Sequence, residues 1–196
     1  MAKPVMSFEE HKARSARSYK LLLAFTMVSI TMMFAGLTSA YVVSHSRGDW
    51  LRDFSLPTAF TISTVLILLC SVSIHMAKMR IKADDRKATT IWLLATLALG
   101  LGFVFFQFRG FGQIVESGHF FTGSASSITT TYIYVIAIAH LAHLVGGIIS
   151  LLVVIYNHFK EKYSAKQPLG IELAAMYWHF LDFLWIYLFL FLSFYK

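Results

Sequence analysis

The sequence predicts an all-α, integral membrane bundle of five transmembrane helices. Three observations predict it: the ratio of apolar to charged residues, the number of long apolar runs, and the position of the lysines and arginines between those runs. Of the 196 residues, 57% are hydrophobic and 14% charged, against roughly half and a quarter in soluble domains. A spanning helix needs about 20 mostly apolar residues, and such runs occupy 20–44, 57–77, 88–108, 129–157 and 171–195. Residues 1–19 form a basic leader, leaving 20–196 as the membrane domain.

Positive residues near the ends of spans are held on the cytoplasmic side. With the N-terminus there, that side collects Lys3, Lys12, Arg14, Arg17, Lys20, Lys78, Arg80, Lys82, Arg86, Lys87, Lys160, Lys162 and Lys166, and the other side only Arg47, Arg52, Arg109 and Lys196. An odd number of spans, with a cytoplasmic N-terminus and the C-terminus on the opposite side, fits this bias. The net charge of +7 therefore reads as a topology signal, and nucleic acid is not an expected partner. Cys70, the sole cysteine, lies inside an apolar run and cannot form an internal disulfide or a paired-thiolate centre.

The first run follows a basic leader and ends near Thr38-Ser39-Ala40, which resembles a cleavage site. Its apolar stretch continues through Tyr41 and Val43 and is long enough to span, so a retained helix is expected. Ser46–Phe54 reads as a loop. The second run carries Ser63, Thr64, Ser71 and Ser73, hydroxyls that bond to their own or a neighbouring helix more readily than they line a pore. His75 lies near its cytoplasmic end, beside Lys78, and receives no role. Lys78–Lys87 and the Gly/Ser-rich Gly110–Ser127 read as loops flanking the third run, and His158–Gly170 as the loop before the fifth. Gly36 with Ala40, Gly100 with Gly102, and Ala139, Ala142, Gly146 and Gly147 offer small-residue surfaces for close helix packing.

Ionisable side chains inside hydrocarbon need a partner or a purpose, and the last two runs hold nearly all of them. His140 and His143 share one face of the fourth; Glu172, His179 and Asp182 form one stripe on the fifth. These two stripes are expected to face each other. Paired histidines on facing helices can ligate a metal or haem, but the small residues around them favour the other reading, hydrogen-bonded glue between helices. The aromatic-rich fifth run, with Trp178 and Trp185 seven residues apart, suggests a packing surface for a protein partner or ordered acyl chains.

The run Tyr177-Trp178-His179-Phe180-Leu181-Asp182-Phe183-Leu184-Trp185 closely resembles the last-helix signature of cytochrome c oxidase subunit III. His140 and His143 followed by Gly146-Gly147 resemble that family's preceding helix, Leu56-Pro57 with Ser63-Thr64 an earlier one, and Gly102 with Gln107 a further, weaker match. The resemblance runs from about Lys20 onward, as in five-helix bacterial members that lack the two N-terminal helices of longer ones. It implies an accessory subunit of the bacterial cytoplasmic membrane with no catalytic residues, haem or copper of its own. Haem and copper belong to partner subunits. The implied partners are the haem-copper catalytic subunit I, other oxidase subunits and bound phospholipid, with a respiratory supercomplex as a further assembly. His140, His143, Glu172, Trp178, His179, Asp182 and Trp185 then have structural or lipid-contacting roles. The implied contribution is to stabilise the catalytic subunit and sustain its proton uptake.

Two positions depart from the family pattern. Longer members commonly carry an intramembrane Glu directly after a Ser, where this chain reads Ser29-Ile30-Thr31; many carry a Glu three residues after the Gln, where Gln107 is followed by Phe108-Arg109-Gly110. Both losses favour a structural subunit over a proton carrier. The rival readings are an accessory subunit of a quinol oxidase or nitric oxide reductase, a small b-type cytochrome pairing His140 or His143 with His179 across a haem, and a small transporter, which lacks the expected inverted repeat.

Overall fold

The computed structural model describes residues 8–48, 50, 51, 56–118, 120, 121, 123, 127–165 and 167–195. Five helices contain nearly all of them: α1 (Phe8–Ser44), α2 (Thr58–Lys82), α3 (Arg86–Glu116), α4 (Ile128–Phe159) and α5 (Leu169–Phe194). Each is long and apolar enough to cross a membrane. The predicted five-helix transmembrane bundle is the observed one. Arg52, Lys166, Lys196 and the leader before Phe8 lie outside the described residues.

Several helices run further than the apolar spans alone indicate. At about 1.5 Å per residue, α1 is roughly 55 Å long, well beyond a hydrocarbon core of about 30 Å, so one end projects from the membrane. α2 continues to Lys82 and stops where Asp84 adopts a left-handed φ of 59°. α3 starts on the Asp85 carboxylate, which accepts from the Ala88 amide at 3.0 Å. It continues through Gly110 and Gly112 to Glu116, where the sequence suggested a loop. Gly110 has a packing reason: a Cβ there would lie 3.1 Å from the Phe60 ring. α4 starts on a reciprocal capping box between Ser127 and Thr130.

Helices α2, α3, α4 and α5 form a closed ring in that order, and α1 packs outside it against α4 and α5. Hydroxyls join α2 to α3, as expected of a hydroxyl-rich span: Gln107 Nε2 donates to Ser63 Oγ at 3.1 Å, Thr96 Oγ1 to Ser73 Oγ at 3.0 Å, and Ser73 Oγ to the Trp92 carbonyl at 2.9 Å. At the far end of α1, Trp50 folds back on Tyr41 with ring centroids 4.7 Å apart. The Leu51 amide is held by Thr129 Oγ1 at 3.0 Å.

Candidate functional site

Helix α5 touches α1, α2 and α4, and its side chains divide between two interior faces. On one, Trp178 and Trp185 fill the diagonal of the ring towards α3. Trp178 lies over Gly100 of α3 and beside Gly147 of α4. Trp185 packs edge-on against Phe103, centroids 5.3 Å apart, and donates its indole N–H to Thr64 Oγ1 on α2 at 3.0 Å. Both indoles are buried. They are therefore interior wedges, and the outward aromatic surface of α5 is carried by Phe183, Tyr187 and Phe194. The reason is local: glycines at 100 and 147 leave the volume that a large ring occupies.

His140 is fully buried among rings from three helices: Phe34 of α1 at 6.4 Å, Phe103 of α3 at 5.9 Å and Trp185 of α5 at 5.1 Å between centroids. Neither ring nitrogen has a hydrogen-bond partner among the described residues. His143, one turn on, bonds through Nδ1 to the Ala139 carbonyl of its own helix at 2.7 Å and packs on Phe34 at 5.8 Å. Tyr177 of α5 donates its hydroxyl to the His143 carbonyl at 3.1 Å.

The other interior face of α5 looks at α2. His179 Nδ1 lies 2.7 Å from Ser71 Oγ, and its ring is 5.9 Å from that of His75. Asp182 is buried one turn deeper, with neither carboxyl oxygen hydrogen-bonded among the described residues. At the start of α5, Glu172 bridges two helices: Oε2 receives Lys20 Nζ of α1 at 3.0 Å and Oε1 receives Lys82 Nζ of α2 at 2.8 Å.

The expected meeting of the two polar stripes is thus not what forms. His140 and His143 face α1, α3 and the indole of Trp185, while Glu172, His179 and Asp182 face α2, with Glu172 also reaching α1. The fifth-helix stripe turns to α2 because Trp178, Leu181 and Trp185 occupy the face towards α3 and α4. Among the described residues, the ring neighbours of His140 and His143 are therefore distinct from those of His179. His179 and Glu172 have polar partners on neighbouring helices, whereas His140 is surrounded by rings and not by hydrogen-bond partners among the described residues.

Three features were not singled out from the sequence. His75, given no role, is a neighbour of His179. His158, read as loop, is buried and bonds through Nε2 to Thr90 Oγ1 at 2.9 Å, while Arg86 donates to its carbonyl at 3.1 Å. An open groove of about 530 Å³ runs between α1 and α4–α5, lined by Tyr19, Leu23, Gly146, Ser150, Leu173 and Tyr177 among others. It adjoins a hollow of about 630 Å³ that carries Lys12, Lys20 and Lys162. Only the cluster of lysines at that end could have pointed to it.

The chain matches the family model described as cytochrome c oxidase subunit III over residues 7–196. It is 31% identical over 172 residues to cytochrome c oxidase subunit 3 of Thermostichus vulcanus, covering 86% of this chain and 82% of that protein. With cytochrome c oxidase subunit 3 of Bacillus sp. (strain PS3) the identity is 28% over 163 residues, covering 81% of this chain and 77% of that protein. With the lamprey Petromyzon marinus protein of the same name it is 31% over 140 residues, 71% of this chain but 50% of the relative, as expected of a longer member. The five-helix bundle and a match running through nearly the whole sequence lead to one conclusion: this chain belongs to the cytochrome c oxidase subunit III family.

Proposed function

We propose that this chain is the accessory, non-redox third subunit of a haem-copper cytochrome c oxidase in a bacterial cytoplasmic membrane, with its N-terminus in the cytoplasm. It packs against the catalytic subunit, stabilises it and sustains its proton uptake, while haem and copper reside in the partners. The observation that carries this reading is the fate of the motif residues. Trp178, Trp185 and His140 are consumed in wedging α1, α3, α4 and α5 together. Glu172 ties α1 to α2 at the end where Lys20, Lys82, Arg86 and Glu161 also gather. This internal use of the motif residues supports a scaffold role.

The groove beside α1 suits a phospholipid. Its apolar wall accepts acyl chains, and the lysines at its end attract an anionic headgroup. The basic end of the bundle also supports the cytoplasmic assignment of the N-terminus.

The experiment is deletion of this chain from an oxidase-expressing strain. The remaining complex is expected to keep its haem and copper content and its initial turnover, but to lose activity faster during sustained turnover. Loss of haem, or an unchanged activity lifetime, would overturn the proposal.

A further inference from the structure

We propose that His158 and Arg86 form a pH-sensitive latch between the C-terminal end of α4 and the N-terminal end of α3, closed while the His158 imidazole is neutral and opened by its protonation. The device goes beyond the scaffold function and acts within this chain alone.

The latch is reciprocal. Arg86 Nη2 donates to the His158 carbonyl at 3.1 Å, while His158 Nε2 lies 2.9 Å from Thr90 Oγ1 and 3.3 Å from the Arg86 carbonyl. Thr90 Oγ1 gives its own proton to that same carbonyl at 2.9 Å. Facing a carbonyl and a hydroxyl whose proton is already placed, Nε2 carries the hydrogen. The lone pair of the neutral ring is therefore on Nδ1. That atom is buried and has no hydrogen-bond partner among the described residues.

Protonation thus creates an N–H that nothing accepts and sets a positive charge beside a guanidinium. A buried donor without an acceptor is costly, and more so when charged. The charged groups around the ring do not relieve it. Arg86 and Lys87 of α3 are positive, and Glu161, which lines the same small hollow, pairs with Arg86 at 3.7 Å. Lys160 lies over the Tyr156 ring, 4.6 Å from its centroid. Asp85 is engaged by the Ala88 amide and Asp84 by that of Ala165.

His158 stands just past the apolar run 129–157, at the basic end of the bundle, within reach of aqueous protons once the latch parts. Beyond it, Glu161 holds a left-handed φ of 58°, a costly conformation for a residue with a Cβ. Lys162 and Tyr163 then line the hollow at the end of the groove beside α1, so opening the latch loosens a wall of that hollow. The open form binds a proton that the closed form excludes. The latch is therefore at full strength above the ordinary histidine pKa of about 6.5 and weakens as pH falls below it.

The test is hydrogen–deuterium exchange on the full chain in mild detergent at about pH 7.5 and about pH 5.5, either side of that pKa. Results are read as protection factors, which remove the pH dependence of an unprotected amide. The reporters are the amides of Lys160, Glu161 and Lys162, which bond to the Tyr156, His158 and Asn157 carbonyls. Their protection is expected to fall about tenfold at the lower pH, the most that one such group supplies one unit below its pKa. His158→Gln can still donate to Thr90 but does not titrate, and should give the same protection at both pH values. Glu161→Gln should keep the wild-type response. Three results would overturn the latch: unchanged protection in the wild type at the lower pH, an equal loss in all five helices, or a pH response that survives in His158→Gln. The first two are read on the wild type, so the test does not depend on a variant folding.

Discussion

Gly100 on α3 lies directly beneath the indole of Trp178 on α5: a Cβ at position 100 would stand 2.9 Å from Trp178 Cη2. This contact lets α5 reach across the ring of helices to α3, and it explains why a bulky tryptophan is tolerated at the bundle's centre. Gly100→Ala should therefore destabilise the subunit by about 1–3 kcal/mol through overpacking. Gly36→Ala is the control, because nothing lies within 4 Å of a Cβ there. It should be neutral or stabilising by up to about 1 kcal/mol from helix propensity. Thermal unfolding in detergent measures both, and equal losses would show that Trp178 is not wedged.

The two tryptophans of α5 should respond differently to phenylalanine. Trp185 donates to Thr64, whereas Trp178 Nε1 has no partner among the described residues. Beyond the loss of ring volume common to both, Trp185→Phe forfeits a hydrogen bond of about 1 kcal/mol. The Trp185 variant is expected to melt at the lower temperature. The reverse order would contradict the assigned bond.

His140 and His179 occupy separate neighbourhoods, the first among Phe34, Phe103 and Trp185, the second against Ser71 and His75. Substituting each by Ala should give effects that add to within about 0.3–0.5 kcal/mol. His140 and Trp185, whose rings touch, should instead couple. A double-mutant cycle reads both, and coupling between His140 and His179 would revive the idea of facing stripes.

Glu172 joins Lys20 and Lys82, so either lysine substituted by Met should lose most of its effect once Glu172→Gln is present. Because the lysines are about half exposed, each bond is expected to contribute no more than about 1 kcal/mol and to weaken in high salt. Limited proteolysis of the N-terminal part of α1 is the sensitive readout, since among the described helices α1 packs only against α4 and α5. Unchanged cleavage in Glu172→Gln would show that the bridge does not tether α1.

Helix number and the hydroxyl ladder of α2 were legible because both follow from composition and spacing. So was the family, through the Tyr177–Trp185 run. Facing was not legible, since a stripe on α5 shows which residues share a side but not which neighbour that side meets. The answer depended on glycines at 100 and 147, on other helices, making room for Trp178. Small residues alone misled at Gly36, which faces open space. Gly110 and Gly112 suggested a loop because glycine weakens a helix, yet the Phe60 ring lies against position 110 and the helix continues.

The central claim is that this chain is a haem-free scaffold for an oxidase. It is tested most directly by purifying it through a tag in mild detergent, identifying what accompanies it, and recording reduced-minus-oxidised spectra before and after the chain is stripped from its partners. The account predicts that a large haem-bearing subunit co-purifies and keeps the whole haem spectrum after stripping. A stripped chain that retains haem absorption, or one that brings down no oxidase subunit, would contradict it.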